Sequence, residues 1–188
     1  MDRIIGAFTF RREVYAEVEQ DSSFTTTAWI IVAVVSFLSA LGSLSMDNFG
    51  LSLLAAIGSA VFAVIGFAVL AFLISWIARA LYNADVTFNE LVRTVGLASV
   101  WQVVGFLGIL GLISPTLVCI ISPAFFIGWI LWLVSAFIAS KEALDLDWTK
   151  TIIAVILGFV ANFIIVFIGG LILAAIGLGG AALFGAFS

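Results

Sequence analysis

The stretch Leu51 to Ala78, LSLLAAIGSAVFAVIGFAVLAFLISWIA, contains no charged side chain and is closed by Arg79. About 20 apolar residues in a helix cross the roughly 30 Å of a bilayer's hydrocarbon core, so this run spans a membrane with residues to spare. The excess predicts a tilted helix, or one that continues into the headgroup layer. Four more runs meet the same requirement: Thr27 to Ser45, Thr94 to Ile113, Thr116 to Ala139 and Thr151 to Ile176. A lone strand would leave its backbone groups unsatisfied in lipid, and none of the runs alternates as barrel strands do. The expected fold is therefore all-α: a polytopic integral membrane protein with five transmembrane helices over residues 27–188, preceded by a short amphipathic N-terminal segment, residues 1–26.

The charges sort themselves around these runs. All seven Lys and Arg residues fall on one side of a five-span chain: Arg3, Arg11 and Arg12 before the first run, Arg79 and Arg93 between the second and third, Lys141 and Lys150 between the fourth and fifth. Short connections rich in Lys and Arg stay in the cytoplasm, which predicts a multi-pass cell-membrane protein with a cytoplasmic N-terminus and an extracytoplasmic C-terminus. Of the eleven carboxylates only Asp47 falls on the outer side. Trp29, Trp76 and Trp148 all lie at the cytoplasmic ends of spans, at the depth where indole rings settle. A net charge of -4 and 64% hydrophobic residues argue against a nucleic-acid partner and make the lipid bilayer the solvent.

The connections carry their own punctuation. Asp47-Asn48-Phe49-Gly50 is a turn cluster that forces an antiparallel hairpin. Thr87-Phe88-Asn89-Glu90 has the form of a capping box opening the third helix. Pro115 suits the first position of the fourth helix, and Pro123 predicts either a kink in it or a later start. In the N-terminal segment, Ile4, Ala7, Phe8, Val14, Tyr15 and Val18 share one helical face opposite Glu13 and Glu17, with Arg11 as an interruption and Thr9 as a possible break into two short helices. No cleavable signal peptide is expected, because the first apolar run follows an acidic stretch. Beyond Thr151 the chain is apolar to Phe187; Gly169-Gly170 divides it, and the favoured reading is a fifth span with a glycine-rich extracytoplasmic extension rather than a sixth span or re-entrant segment.

No ionisable residue lies in the middle of a span, where proton- and ion-coupled transporters place theirs. With no histidine and with Cys119 as the only cysteine, disulfides, Cys/His metal clusters and Cys-His dyads are excluded. No catalytic residue, metal ligand or cofactor site is expected. The candidate intramembrane polar contacts are Gln102 and Asn162, each expected to bond a neighbouring helix, with a solute path as the other reading. Small residues recur at helix-contact spacing: Gly105, Gly108 and Gly111 in the third span, and Gly177, Ala181 and Gly185 in the tail, suited to packing within the bundle or to an interface.

The segments Phe8-Thr9-Phe10-Arg11-Arg12-Glu13-Val14-Tyr15, Arg93-Thr94-Val95-Gly96-Leu97-Ala98 and Trp132-Leu133-Val134, running into Lys141-Glu142-Ala143-Leu144, set among five spans, resemble the prokaryotic branch of the Yip-one domain family, the Ypt-interacting proteins. That family opens its third span with a Gly-Tyr-Ala-like segment followed by proline; here Leu97 stands in place of the tyrosine and no proline follows before Pro115. The resemblance implies a five-pass protein acting through protein or lipid contacts. Eukaryotic relatives bind small GTPases and take part in vesicle traffic or membrane shaping; their long cytosolic amino-terminal region with its acidic-aromatic motif has no counterpart here, so small-GTPase binding does not carry over. The sequence therefore favours a non-catalytic protein that organises the membrane or serves as an accessory subunit of a larger membrane complex, with other membrane subunits or a second copy as partners. A transporter or channel for a neutral or apolar solute is the alternative, and an intramembrane enzyme is the least favoured class.

Overall fold

The computed structural model describes residues 2–46 and 48–175. Its elements, in chain order, are α1 (Asp2–Phe8), α2 (Arg12–Gln20), α3 (Phe24–Leu41), α4 (Phe49–Tyr82), α5 (Phe88–Ala98) with a 3-10 continuation (Ser99–Leu112), α6 (Pro115–Leu144) and α7 (Trp148–Ala175). There is no strand among the described residues, and five helices are long and apolar enough to cross a membrane. The protein is an all-α polytopic membrane protein.

The punctuation works as its chemistry requires. Thr87 accepts from the Glu90 amide while the Glu90 carboxylate accepts from the Thr87 amide, a complete capping box at the start of α5. The third span accordingly opens at Phe88, ahead of its apolar run. Ser114 caps α6 and Pro115 follows it. Pro123 neither starts nor ends the helix, which runs through it. A proline there leaves the Cys119 carbonyl without its usual amide, and the Ser122 hydroxyl donates to that carbonyl at 2.9 Å instead. Asn83 and Asp145, both with positive φ, end α4 and α6. The backbone of α7 continues through Gly169-Gly170. The tail beyond Ala175, with Gly177, Ala181 and Gly185, lies outside the described residues.

The main departure from expectation is the second half of the third span. After Ala98 the chain tightens into a 3-10 helix of 14 residues, far beyond the three or four residues usual for this geometry. The sequence explains it in part: β-branched Val100, Val103, Val104 and Ile109, together with three glycines, lower α-propensity throughout. Packing supplies the rest. At three residues per turn Gly105, Gly108 and Gly111 eclipse one another in a straight stripe. A Cβ built on Gly105 would lie 2.1 Å from Ser39 Oγ, and one on Gly108 would lie 2.4 Å from the Gly42 carbonyl oxygen. The stripe is the surface on which the backbone of α3 rides, with Gly42 as the reciprocal gap: its own Cβ would lie 2.1 Å from the Gly105 carbonyl oxygen. Gly111 instead faces Val118 of α6.

The span formed by α5 and its 3-10 continuation is the centre of the bundle. Every residue from Leu91 to Ala98 is buried. α3 and α6 pack on either side of it, α4 packs on α3, α5 and α7, and α7 packs on α4 and α6. α4, with 34 residues, is about 51 Å long, so it exceeds the hydrocarbon core as its sequence predicts.

Gly108→Ala should lower stability by about 1 to 3 kcal/mol, the usual range for overpacking, because the obstructing atom is a backbone carbonyl. Gly58→Ala, in α4 with no atom near its Cβ position, should be neutral or slightly stabilising. Thermal denaturation of both variants in mild detergent measures the difference.

Candidate functional site

The polar chemistry of the described residues gathers where α1 and α2 dock against the bundle. These two helices fold back on each other: the chain turns between Thr9 and Arg11, where the Arg11 amide bonds the Gly6 carbonyl at 3.0 Å and Phe10 adopts a positive φ of 55°. Gly6 is needed at the crossing, since its Cβ would lie 2.4 Å from Val14. The break at Thr9 gives α1 and α2 separate helical phases. Ala7, Val14, Tyr15 and Val18 are therefore buried, whereas Ile4, expected on the same face, is 39% exposed. Arg11 sits in the turn, outside the buried face.

Arg93 holds this hairpin in place. Only 7% of the residue is exposed, and its guanidinium donates to the Val18 carbonyl at 3.0 Å, to the Glu19 carbonyl, and to Thr25 Oγ1 at 3.3 Å. Val18 and Glu19 belong to the last turn of α2, where carbonyls lack intrahelical partners and the helix dipole favours a cation. One side chain from the central span thus caps α2 and reaches the start of α3. Tyr15 adds a second tie, 2.6 Å from Ser135 Oγ of α6, and its buried phenol is pushed up in pKa by desolvation, partly opposed by that hydrogen bond. Phe8 and Phe10 embrace Trp101 of the 3-10 segment, edge-on at 5.0 Å and stacked at 5.4 Å respectively. At the rim, Arg3 pairs with Glu17 and with Asp21. Hydrogen bonds from Ser23 and Arg3 lower the Asp21 pKa.

Beyond Asp21, which Arg3 pairs, the carboxylates Glu19, Glu90, Glu142 and Asp145 near the end of α2 form no ion pair among the described residues. Glu19 is half-buried and is pushed up to about 7, by desolvation first and then by the charges of Asp145, Glu90 and Glu142, against the opposing pull of Arg93. Arg93 lends its field here while its donors are committed to carbonyls and a hydroxyl.

The residues singled out in the sequence lie elsewhere. Gln102 is half-buried, in register with the glycine stripe because it precedes Gly105 by one 3-10 turn. Asn162 is on α7, its Oδ1 buried without a hydrogen-bond partner among the described residues. The 3-10 segment packs against α1, α3, α5 and α6, and α7 against α4 and α6, so the two residues lie on elements that share α6 as a neighbour. Gly105 and Gly108 form the α3 seam. Arg93 went unread as a clamp because it served as one of seven topological charges; the available signal was a lone cation among mostly apolar neighbours, Leu91-Val92 before it and Thr94-Val95-Gly96-Leu97 after it. Tyr15 was legible as part of the apolar face, but neither its bond to Ser135 nor the role of Trp101 carried a signal.

The family model of the Yip1 domain matches residues 5–170, taking in the docked hairpin and all five spans. The chain belongs to the Yip1 domain family. No curated protein and no solved structure matches it. The match begins within α1, so the hairpin clamped by Arg93 lies inside the Yip1 domain itself, rather than being an appendage to it.

Arg93→Gln should cost about 1.5 to 3 kcal/mol, the range for a charge-assisted hydrogen bond, and should make the hairpin cleavable by added protease at lower temperature. Arg93→Lys should recover less than half of the loss, since an ammonium cannot fork between two carbonyls and a hydroxyl. The raised Glu19 pKa sets a pH dependence. The folded protein keeps this proton up to about pH 7, whereas the unfolded chain releases it near 4.5, so stability should fall as pH rises through that window. Glu19→Gln should flatten the slope of the unfolding midpoint against pH between about 5 and 7.5; an unchanged slope would show that Glu19 does not set it.

Proposed function

We propose that this Yip1-domain protein is a non-catalytic membrane protein that works through lipid and helix contacts, as an organiser of the bilayer or an accessory subunit of a larger membrane complex. The observation that carries this reading is the division between a closed interior and an open exterior. Inside, α3 and the 3-10 segment meet backbone to backbone along Gly42, Gly105 and Gly108. Outside, α4 exposes Leu54, Val61 and Phe62, and α6 exposes Ile120, Phe126 and Trp129. Such faces must be covered by lipid or by another apolar chain, and membrane helices find partners through packing rather than through a hydrophobic drive.

The solute-path alternative draws less support, because no ionisable side chain lies in the middle of a span, where coupled transporters place theirs. The orientation belongs to the same proposal: the face that carries the docked hairpin is assigned to the cytoplasm, on the strength of the seven basic residues that share it.

Two measurements test the reading. In a Cys119→Ser background, cysteines at Phe126 and Phe163 should cross-link in membranes to a second copy or to another integral membrane chain. Proteoliposomes should pass glycerol no faster than protein-free vesicles. Saturable glycerol flux abolished by Gln102→Leu would replace the proposal with a solute path.

A further inference from the structure

We propose that Arg12 and Trp148 bind the phosphate of an anionic phospholipid whose acyl chain lies along the outward stripe of α7. The Arg12 guanidinium carbon lies 5.3 Å from the centroid of the Trp148 ring. A guanidinium stacked on indole is held by one face, while its N–H edge stays free to fork onto an oxyanion. Arg3 and Arg93 spend their donors on protein oxygens, and Arg79 spends one on Ser75. Arg12, exposed at the start of α2, has no hydrogen bond or ion pair among the described residues.

Position turns this donor toward lipid. Trp148 is the first residue of α7 and of its membrane-crossing stretch, so the stacked pair stands at the mouth of a span. From it an apolar track runs down the helix. Trp148, Ile152, Ile156 and Val160 recur every fourth residue and are 39%, 40%, 48% and 50% exposed, and Phe163 continues the line at 60%. A fixed cation at the head of an exposed apolar stripe matches a phosphate above an acyl chain. The neighbouring carboxylates leave the donor available: Asp147 accepts from the Lys150 amide at 3.0 Å, and Glu13 is exposed on α2. An anionic headgroup fits better than a zwitterionic one, which would bring its own cation against Arg12.

The inference gives a site to the lipid contacts of the reading above, and its outcome is separate from those of cross-linking and glycerol flux. The full chain, reconstituted in nanodiscs of equal phosphatidylglycerol and phosphatidylcholine, would be extracted and its retained lipids counted by native mass spectrometry. The wild type should retain phosphatidylglycerol over phosphatidylcholine by roughly tenfold, as expected for one bidentate charge-assisted contact. Arg12→Gln and Ile152→Ser should each bring the ratio close to that of the bulk bilayer, Arg12→Lys should fall between, and Lys141→Gln should change nothing. All four variants should keep the wild-type unfolding midpoint in detergent, since the substituted side chains are not in the core; should one fail to fold, the remaining three still decide. Wild-type selectivity in Arg12→Gln, or an equal loss in Lys141→Gln, would overturn the site. Binding of inorganic phosphate by the lipid-free protein, undiminished in Ile152→Ser, would make it a soluble-anion site and overturn the lipid assignment.

Discussion

The guanidinium of Arg93 stands where three parts of the molecule meet. It rises from the most buried helix, bonds the last carbonyls of α2 and reaches the first turn of α3. A buried cation of this kind is tolerable only when its donors are satisfied, and here the acceptors are carbonyls that α2 could not satisfy itself. Two liabilities cancel. The helix end gains a cap, the charge gains partners, and the hairpin is fixed against the bundle in one orientation. Tyr15 and the pair of phenylalanines on Trp101 then fill the space that this orientation defines.

That arrangement leaves a mark on the electrostatics of the same face. Glu19 holds its proton to near neutrality because burial strips it of solvent first, and the nearby charges of Asp145, Glu90 and Glu142 add to that against the pull of Arg93. At the edge of the hairpin the balance reverses. Arg3 there is neutralised by Glu17 and Asp21, while Arg12 is held by an aromatic ring and keeps its charge available. One face therefore presents acid at the docked end of α2 and an uncommitted cation at its start.

Much of the fold was legible because the bilayer imposes few and strong rules. Length and hydropathy placed the runs, and the capping box and Ser114-Pro115 marked the starts of two helices. What could not be read were features decided by contact. Ser99–Leu112 has the same apolar composition in α or 3-10 form, and the choice depends on how closely α3 approaches. Ile4 fell off its predicted face because a helical wheel assumes unbroken phase, which the turn at Phe10 interrupts. Arg93 stands out in sequence as a cation among apolar neighbours, but its acceptors are known only once α2 is seen to end beside it. Gln102 and Asn162 drew attention as rare polar residues in apolar runs, but rarity in a run does not name the atom that a polar group meets.

The glycine stripe has one more property, which follows from its period. Because the 3-10 segment repeats every three residues, a slip of one residue against α3 would turn the stripe by about 120° and offer Val104, Leu107 and Leu110 in place of the glycines. A slip of two would offer Phe106, Ile109 and Leu112. Only a slip of three, roughly 6 Å along the axis, restores glycine to the contact, and in one direction alone, since the other brings Gln102 to the seam. An α-helical seam with its fractional period blurs such alternatives, whereas this one has whole-number registers separated by side chains too large to pass. The contact at the centre of the bundle is digital: α3 is engaged in one notch or it is not engaged.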